Sequence, residues 1–342
     1  MLDKILLGMG FFNAFIHPFG NVVWVLTYRF FYVKLKINDW LFIFTIVVLA
    51  IYKYYQHQDI VLLSKVMRMY FGFMFFYVFF KSGCKLKFSS LFWFLLVTIL
   101  IEAVLINTII DARHLPNFPD ASALNHFSQP GYYQRPYSFA GLSTASAVIL
   151  IMLSNMFVLS IFQRMFFIFD VFVLVSGTGI LMLVLSLLIE YKKQILKYFL
   201  FLVFLTVMFA NELISFIDSL GIRVNLDYTL FVIDFKIKQV EVCFENYSLL
   251  EFAFGKMSNL DQSVGGYGYG EDFGWLEIVL GYGFFAINMF ILSKCHKSNY
   301  IPIMICLIAT FHYGSLFYIP GQVLIGYLLS KKEEEYILCK SI

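Results

Sequence analysis

The feature that most constrains this chain is a rhythm. Apolar runs of about the twenty residues a helix needs to cross hydrocarbon alternate with short turns that carry lysine. Trp40 to Tyr55, Ile60 to Phe80 and Leu91 to Ile110 are such runs, and Ile195 to Ile214 and Trp275 to Leu292 repeat the pattern. With 61% hydrophobic and 14% charged residues, soluble packing has too little polar surface to work with. The expected fold is therefore an all-α polytopic membrane protein, a single transmembrane domain over residues 1–342 with roughly ten spans.

Three stretches break the rhythm. Residues 5–33 hold His17, Pro18 and Gly20 in the middle and read as one kinked span or two half-helices. Met165 to Glu190 is interrupted at Ser176, Gly177, Thr178 and Gly179. Its first eleven residues would cover only about 16 Å as a helix, so it is two half-spans at a polar elbow or one helix with a flexible middle. Tyr300 to Leu329 is flanked by lysines at both ends, which favours a hairpin with His312 at its tip. The amino terminus shows no cleavable signal pattern. Five cysteines, Cys84, Cys243, Cys295, Cys306 and Cys339, have no paired spacing, so neither a disulfide framework nor a metal site is expected. No basic tract suggests nucleic acid.

Orientation follows Lys and Arg near the span ends. Putting Lys34 and Lys36, Lys81, Lys85 and Lys87, Arg164, Lys192 and Lys193, Lys294 and Lys297, and Lys331 and Lys332 in the cytoplasm gathers everything else polar on the outer face. Two large loops, residues 111–140 and 215–272, lie there with the 176–179 elbow and His312. The first loop runs without a break into an apolar span, Gly141 to Ile161, with Arg135 at its mouth. The second holds an amphipathic helix around residues 237–252 and a Gly-rich run before Glu271 and Asp272.

Cations converging at a membrane interface beside a few acids suit an anionic lipid headgroup, a pyrophosphate above all. The candidates for gripping it are Arg135, Arg68, Lys236 and Lys238, with Lys65 and Arg223 nearby. His312, Glu271 and Asp272 are the candidates for taking a proton, His312 ahead because a partly buried imidazole stays neutral near pH 7. Each has a plainer reading as an interface anchor, a solvated face or a helix-end charge. No HExxH, Walker or GxSxG pattern occurs.

RPYSFAGLSTASA (135–147), VSGTGILMLVL (175–185), and DFKIKQVEVCFENYSLLEFAFGKMSN (234–259) leading to GYGYGEDFGWLEIVLGYGFF (266–285) resemble the motifs of the O-antigen polymerase (Wzy) and O-antigen ligase group. The resemblance runs over roughly residues 60–330. It implies a metal-independent glycosyltransferase without cofactors, of 10–12 spans in a GT-C-like arrangement, with periplasmic loops at 111–140 and 215–272. The substrate would be an undecaprenyl-pyrophosphate-linked glycan at the periplasmic face of a bacterial inner membrane, polymerised into O-antigen or capsular polysaccharide. Membrane lipid and a chain-length regulator protein would be partners. The chain departs from the pattern at Gly177 and Thr178 and at Lys236 and Lys238, where arginine is common, and it lacks a histidine near Trp275. The missing histidine points to polymerase over ligase. A lipid-linked oligosaccharide flippase is the other alternative.

Overall fold

The computed structural model describes residues 2–16, 19–58, 60–83, 88–109, 133, 135–191, 208–209, 211–212, 215, 226–246, 248–254, 274, 290–296, 299–311 and 315–331. Every regular element among them is helical. In chain order they are α1 Leu2–Phe11, α2 Asn13–Ile16, a 3-10 helix Phe19–Tyr32, α3 Ile37–His57, α4 Ile60–Lys81, α5 Phe88–Thr108 and α6 Ser143–Ser154. Then come α7 Ile161–Val173, α8 Gly177–Glu190, α9 Leu226–Asn246, α10 Leu249–Phe254, α11 Tyr300–Ala309, a 3-10 turn Ser315–Phe317 and α12 Ile319–Ser330. The predicted all-helical class is what the chain adopts.

Among the described residues, α5 is the one helix both long and apolar enough to cross a membrane, with a mean hydropathy of 2.3; the apolar stretches described in the other helices are shorter. The short ones pair into hairpins. The two half-helices expected as one option for residues 5–33 are present, α1 returning as the 3-10 helix so that Asp3 meets Arg29 and Tyr28. At about 2 Å per residue that 3-10 helix reaches further than an α-helix of equal length. Elbow residues 174–176 separate α7 from α8, and Arg164 pairs with Glu190 at 2.8 Å where the two arms end. In the last hairpin, Asn299 Nδ2 donates to the Leu328 carbonyl at 3.0 Å, which joins the start of α11 to the end of α12.

The Gly141 to Ile161 span is corrected. Helix α6 stops at Ser154, where Asn155 turns its amide onto the Ile151 carbonyl (2.7 Å) and Ser186 Oγ (2.9 Å), and residues 158–160 are extended before α7. At about 18 Å, α6 does not traverse a bilayer core by itself. Every residue from Ser143 to Leu153 is buried, against α5, α7, α8, α11 and α12, so α6 is the central post of the bundle. An apolar core helix and an apolar span look alike in sequence, which is why length misleads here.

Helix α12, also buried throughout Pro320–Ser330, packs against α4. At Gly326 a Cβ would lie 2.6 Å from Phe76 Cβ, 2.7 Å from the Tyr77 nitrogen and 2.8 Å from the Phe73 carbonyl. The outer faces are as apolar as the core. Trp40, Phe44, Val47 and Ile51 on α3, Phe94, Val97, Ile101 and Val104 on α5, and Phe162, Met165, Phe166 and Phe169 on α7 are all exposed.

The close α4 to α12 approach yields a stability contrast. Gly326→Ala should destabilise by about 1–3 kcal/mol, because backbone atoms cannot yield to the methyl. Gly8→Ala, where the methyl meets nothing within 4 Å, should be neutral or stabilising by about 0.5–1 kcal/mol. Thermal melts of the purified variants in detergent check this; equal midpoints would contradict the packing.

Candidate functional site

The polar features collect at the two ends of the bundle. At one end Asp39, buried in the first turn of α3, receives the Lys294 ammonium and the Tyr77 hydroxyl, the latter at 3.0 Å. Lys81 also lies over the Tyr77 ring, 5.5 Å from its centroid. His296 Nε2 is 3.2 Å from the Lys331 carbonyl, and Lys331 lies over Tyr327. Several of the basic groups placed on one side from sequence are thus close in space.

The opposite end is built around the turn that leads into α6. Arg135 is half-buried there. Two residues on, within about 7 Å along the chain, the amides of Tyr137 and Ser138 donate to Glu102 Oε1 at 2.9 and 3.1 Å. Ser146 Oγ, in the first turn of α6, accepts the Ala140 amide at 3.3 Å and donates to the Tyr137 carbonyl at 3.4 Å. This clamping holds Ser138 at φ 65°, a left-handed conformation uncommon for a residue with a side chain. Phe139 packs on Phe11, and Gly141 sits where a Cβ would be 3.1 Å from Ala14 of the first hairpin.

The α7–α8 elbow closes the same region. Val175 sits at φ 44°, an outlier for a β-branched residue, and such strain concentrates at functional sites. Ser176 caps α8 by accepting the Gly179 amide at 3.0 Å and donates to Thr144 Oγ1 at 3.0 Å, which ties the starts of α6 and α8 together. Tyr133 donates its hydroxyl to the Val173 carbonyl at 2.8 Å. The residue as a whole is 45% exposed. Burial, reinforced by the nearby carboxylates of Glu102 and Asp170, pushes the phenol above the ordinary tyrosine range, so it stays a donor.

Two acids were passed over in the sequence. Glu102 is the sole charge in α5 and Asp170 sits in α7, each inside an apolar run that reads as plain span. The signal was available, because an ionisable residue within such a run is functional by default. Asp170 is fully buried, and among the described residues neither of its oxygens has a hydrogen-bond partner. Glu102 Oε2 and Ser138 Oγ are likewise buried without one.

The predicted cations are distributed differently. Lys236 on α9 is buried, its Nζ 3.5 Å from the Phe311 carbonyl and 5.3 Å from that ring's centroid, which puts it beside the tip of the last hairpin. Lys238, two residues on and so on another face of the helix, is exposed and pairs with Asp234 at 2.7 Å. Arg68 is exposed on α4, its Nε on the Ser64 carbonyl at 3.3 Å and its own carbonyl accepting Gln322 Nε2 at 2.8 Å. The predicted amphipathic helix in the second large loop is present as α9 and α10. His312, Glu271 and Asp272 lie outside the described residues, as do Arg223 and the Lys65 side chain.

No protein-family model, curated protein or solved structure matches this chain. The chemistry therefore rests on the site itself: an arginine just ahead of a clamped turn, two helix starts tied together, and the acids Glu102 and Asp170 in the helices around them.

The two lysines of α9 should separate on substitution. Lys236→Ala removes a buried cation from a carbonyl and a ring and should cost about 1–2 kcal/mol. Lys238→Ala breaks a solvated i,i+4 pair and should change stability by no more than about 0.5 kcal/mol. Thermal melts that rank the two the other way would contradict the described orientation of α9.

Proposed function

We propose that this chain is a polytopic membrane glycosyltransferase that polymerises undecaprenyl-pyrophosphate-linked repeat units at the periplasmic face of a bacterial inner membrane. Its fold is then of the multispan glycosyltransferase kind. The membrane reading is supported by the exposed apolar faces of α3, α5 and α7, since a helix apolar all round needs either protein or hydrocarbon on every side. Short helices paired into hairpins fit the same setting, because broken backbone is tolerated at membrane depth where protein surrounds it.

One observation carries the catalytic reading. Arg135 lies two residues ahead of a turn locked by Glu102 and Ser146, which itself leads into the buried post α6 beside the tied starts of α6 and α8. A guanidinium on such a fixed stretch of backbone can bring its fork to phosphate oxygens, and first-turn amides of two helices add positive potential. Both would stabilise the pyrophosphate as the glycosidic bond breaks and charge grows on it. Arg68 and Lys236 are further contacts for the same anion, while the proton of the acceptor hydroxyl passes to His312, Glu271 or Asp272.

Packing at the centre is what favours this reading over a flippase, which needs a path between both faces: Ser143–Leu153 of α6 and Pro320–Ser330 of α12 are buried. Arg135→Lys keeps the charge and loses the fork, so long-chain polymer should fall roughly 10- to 100-fold at unchanged protein level. Gel electrophoresis of the polysaccharide from a complemented deletion strain reads this out. Normal polymer from the variant would remove Arg135 from the mechanism.

A further inference from the structure

From Ile319 to Gly326, α12 carries one polar side chain, Gln322, and it is 1% exposed. A buried amide is costly unless it is hydrogen-bonded. Gln322 Nε2 donates to the Arg68 carbonyl on α4 at 2.8 Å, the oxygen that the ladder of α4 also offers to the Gly72 amide. Gly72 makes the room for this. A Cβ there would lie 2.1 Å from Gln322 Oε1, 2.5 Å from its Cδ and 2.8 Å from its Nε2.

The two glycines of this helix pair differ in what they admit. At Gly326 a methyl would press on the backbone of α4, whereas at Gly72 the three nearest atoms all belong to the flexible amide of Gln322. Gly72 is a cradle for that amide.

The oxygen that Gln322 holds belongs to a residue with a task in the reaction. Arg68 is exposed, and its Nε donates to the Ser64 carbonyl at 3.3 Å, so the side chain lies back along its own helix. Wherever the turn Ser64–Arg68 sits, the guanidinium sits with it. Helix α12, to which Gln322 ties that turn, is buried throughout Pro320–Ser330 and starts against the first hairpin, where a Cβ at Gly10 would be 3.2 Å from Ile319 Cγ2. The same hairpin meets the turn that follows Arg135, through Phe11 on Phe139 and Ala14 beside Gly141. Both arginines are thereby referenced to one packed frame.

We infer that Gln322, seated on Gly72, is a positioning residue that sets the place of Arg68 for the substrate anion. The inference rests on the reading of Arg68 as a pyrophosphate contact and adds how that contact is held. An amide bond between helices also serves as plain glue. Glue is felt as stability alone, whereas positioning is felt as affinity transmitted through Arg68.

Calorimetry of inorganic pyrophosphate binding to the full chain in nanodiscs separates the two. Gln322→Met keeps the bulk and removes the donor, and Gly72→Ala displaces the amide from the other side. Each should weaken pyrophosphate about tenfold, the worth of one charge-assisted hydrogen bond. Arg68→Ala should weaken it at least as much, and adding either change to Arg68→Ala should cost nothing further. A nitroxide at Ser64, in a version of the chain lacking its own cysteines, should become more mobile in Gln322→Met.

Unchanged affinity in either folded variant, a loss that adds to that of Arg68→Ala, or an unmoved nitroxide signal overturns the positioning role. Failure of both variants to fold does the same, since the contact would then be structural. Equal binding by wild type and Arg68→Ala, or none by either, would instead remove Arg68 from the anion grip, and the inference with it. Neither readout needs polymer, so absent polymer bears on the polymerase reading alone.

Discussion

Everything at the polar end depends on the complete burial of α6. With Ser143–Leu153 enclosed on all sides, the turn ahead of it cannot drift, and its position is set by packing and not by its own composition. Glu102 then reaches across from α5 to hold that turn by two amides, and Ser146 holds it from within α6. Fixing one short turn so firmly costs backbone strain at Ser138, which the surrounding contacts must outweigh. The return is an arginine with a defined address, the condition for gripping an anion by geometry and not only by charge.

The opposite end solves a different problem. Charges there are paired or laid over aromatic rings: Asp39 with Lys294 and Tyr77, Arg164 with Glu190, Lys331 over Tyr327. Such arrangements neutralise charge locally and leave little for a ligand to recruit. The contrast is the physical basis for assigning function to the other end, where both oxygens of Asp170 and one of Glu102 lack a hydrogen-bond partner among the described residues.

Much of this was legible in the sequence. The hairpin at 300–329 followed from lysines at both ends, an interruption within Met165 to Glu190 from a run too long for one span, although it falls at 174–176 and Gly177–Gly179 open α8, and helix around 237–252 from amphipathic spacing, although two helices, α9 and α10, share that stretch. Other features were not. Apolar periodicity separates an all-round buried helix from a lipid-facing one no better than it separates two spans, so α6 read as a full crossing. Glu102 and Asp170 were hidden by the richness of their surroundings, since a single acid scarcely lowers the hydropathy of a Phe- and Leu-rich window. The partners of Glu102 are 35 and 36 residues away in sequence and Asp170 has none among the described residues, so no local motif marks them. Lys236 and Lys238 looked like a pair because they are close in sequence, yet helical geometry sends them to different faces.

On the proposed function, the end carrying Tyr133, Arg135 and the elbow opens outward while the end carrying His296 and Lys331 faces the cytoplasm. Single cysteines at Tyr133 and at Lys331, in a version of the chain lacking its own five cysteines, test this with a membrane-impermeant maleimide on intact spheroplasts. The expected result is labelling at 133 from outside and at 331 only after permeabilisation. Labelling at 331 in sealed cells, with 133 protected until they are opened, would contradict it.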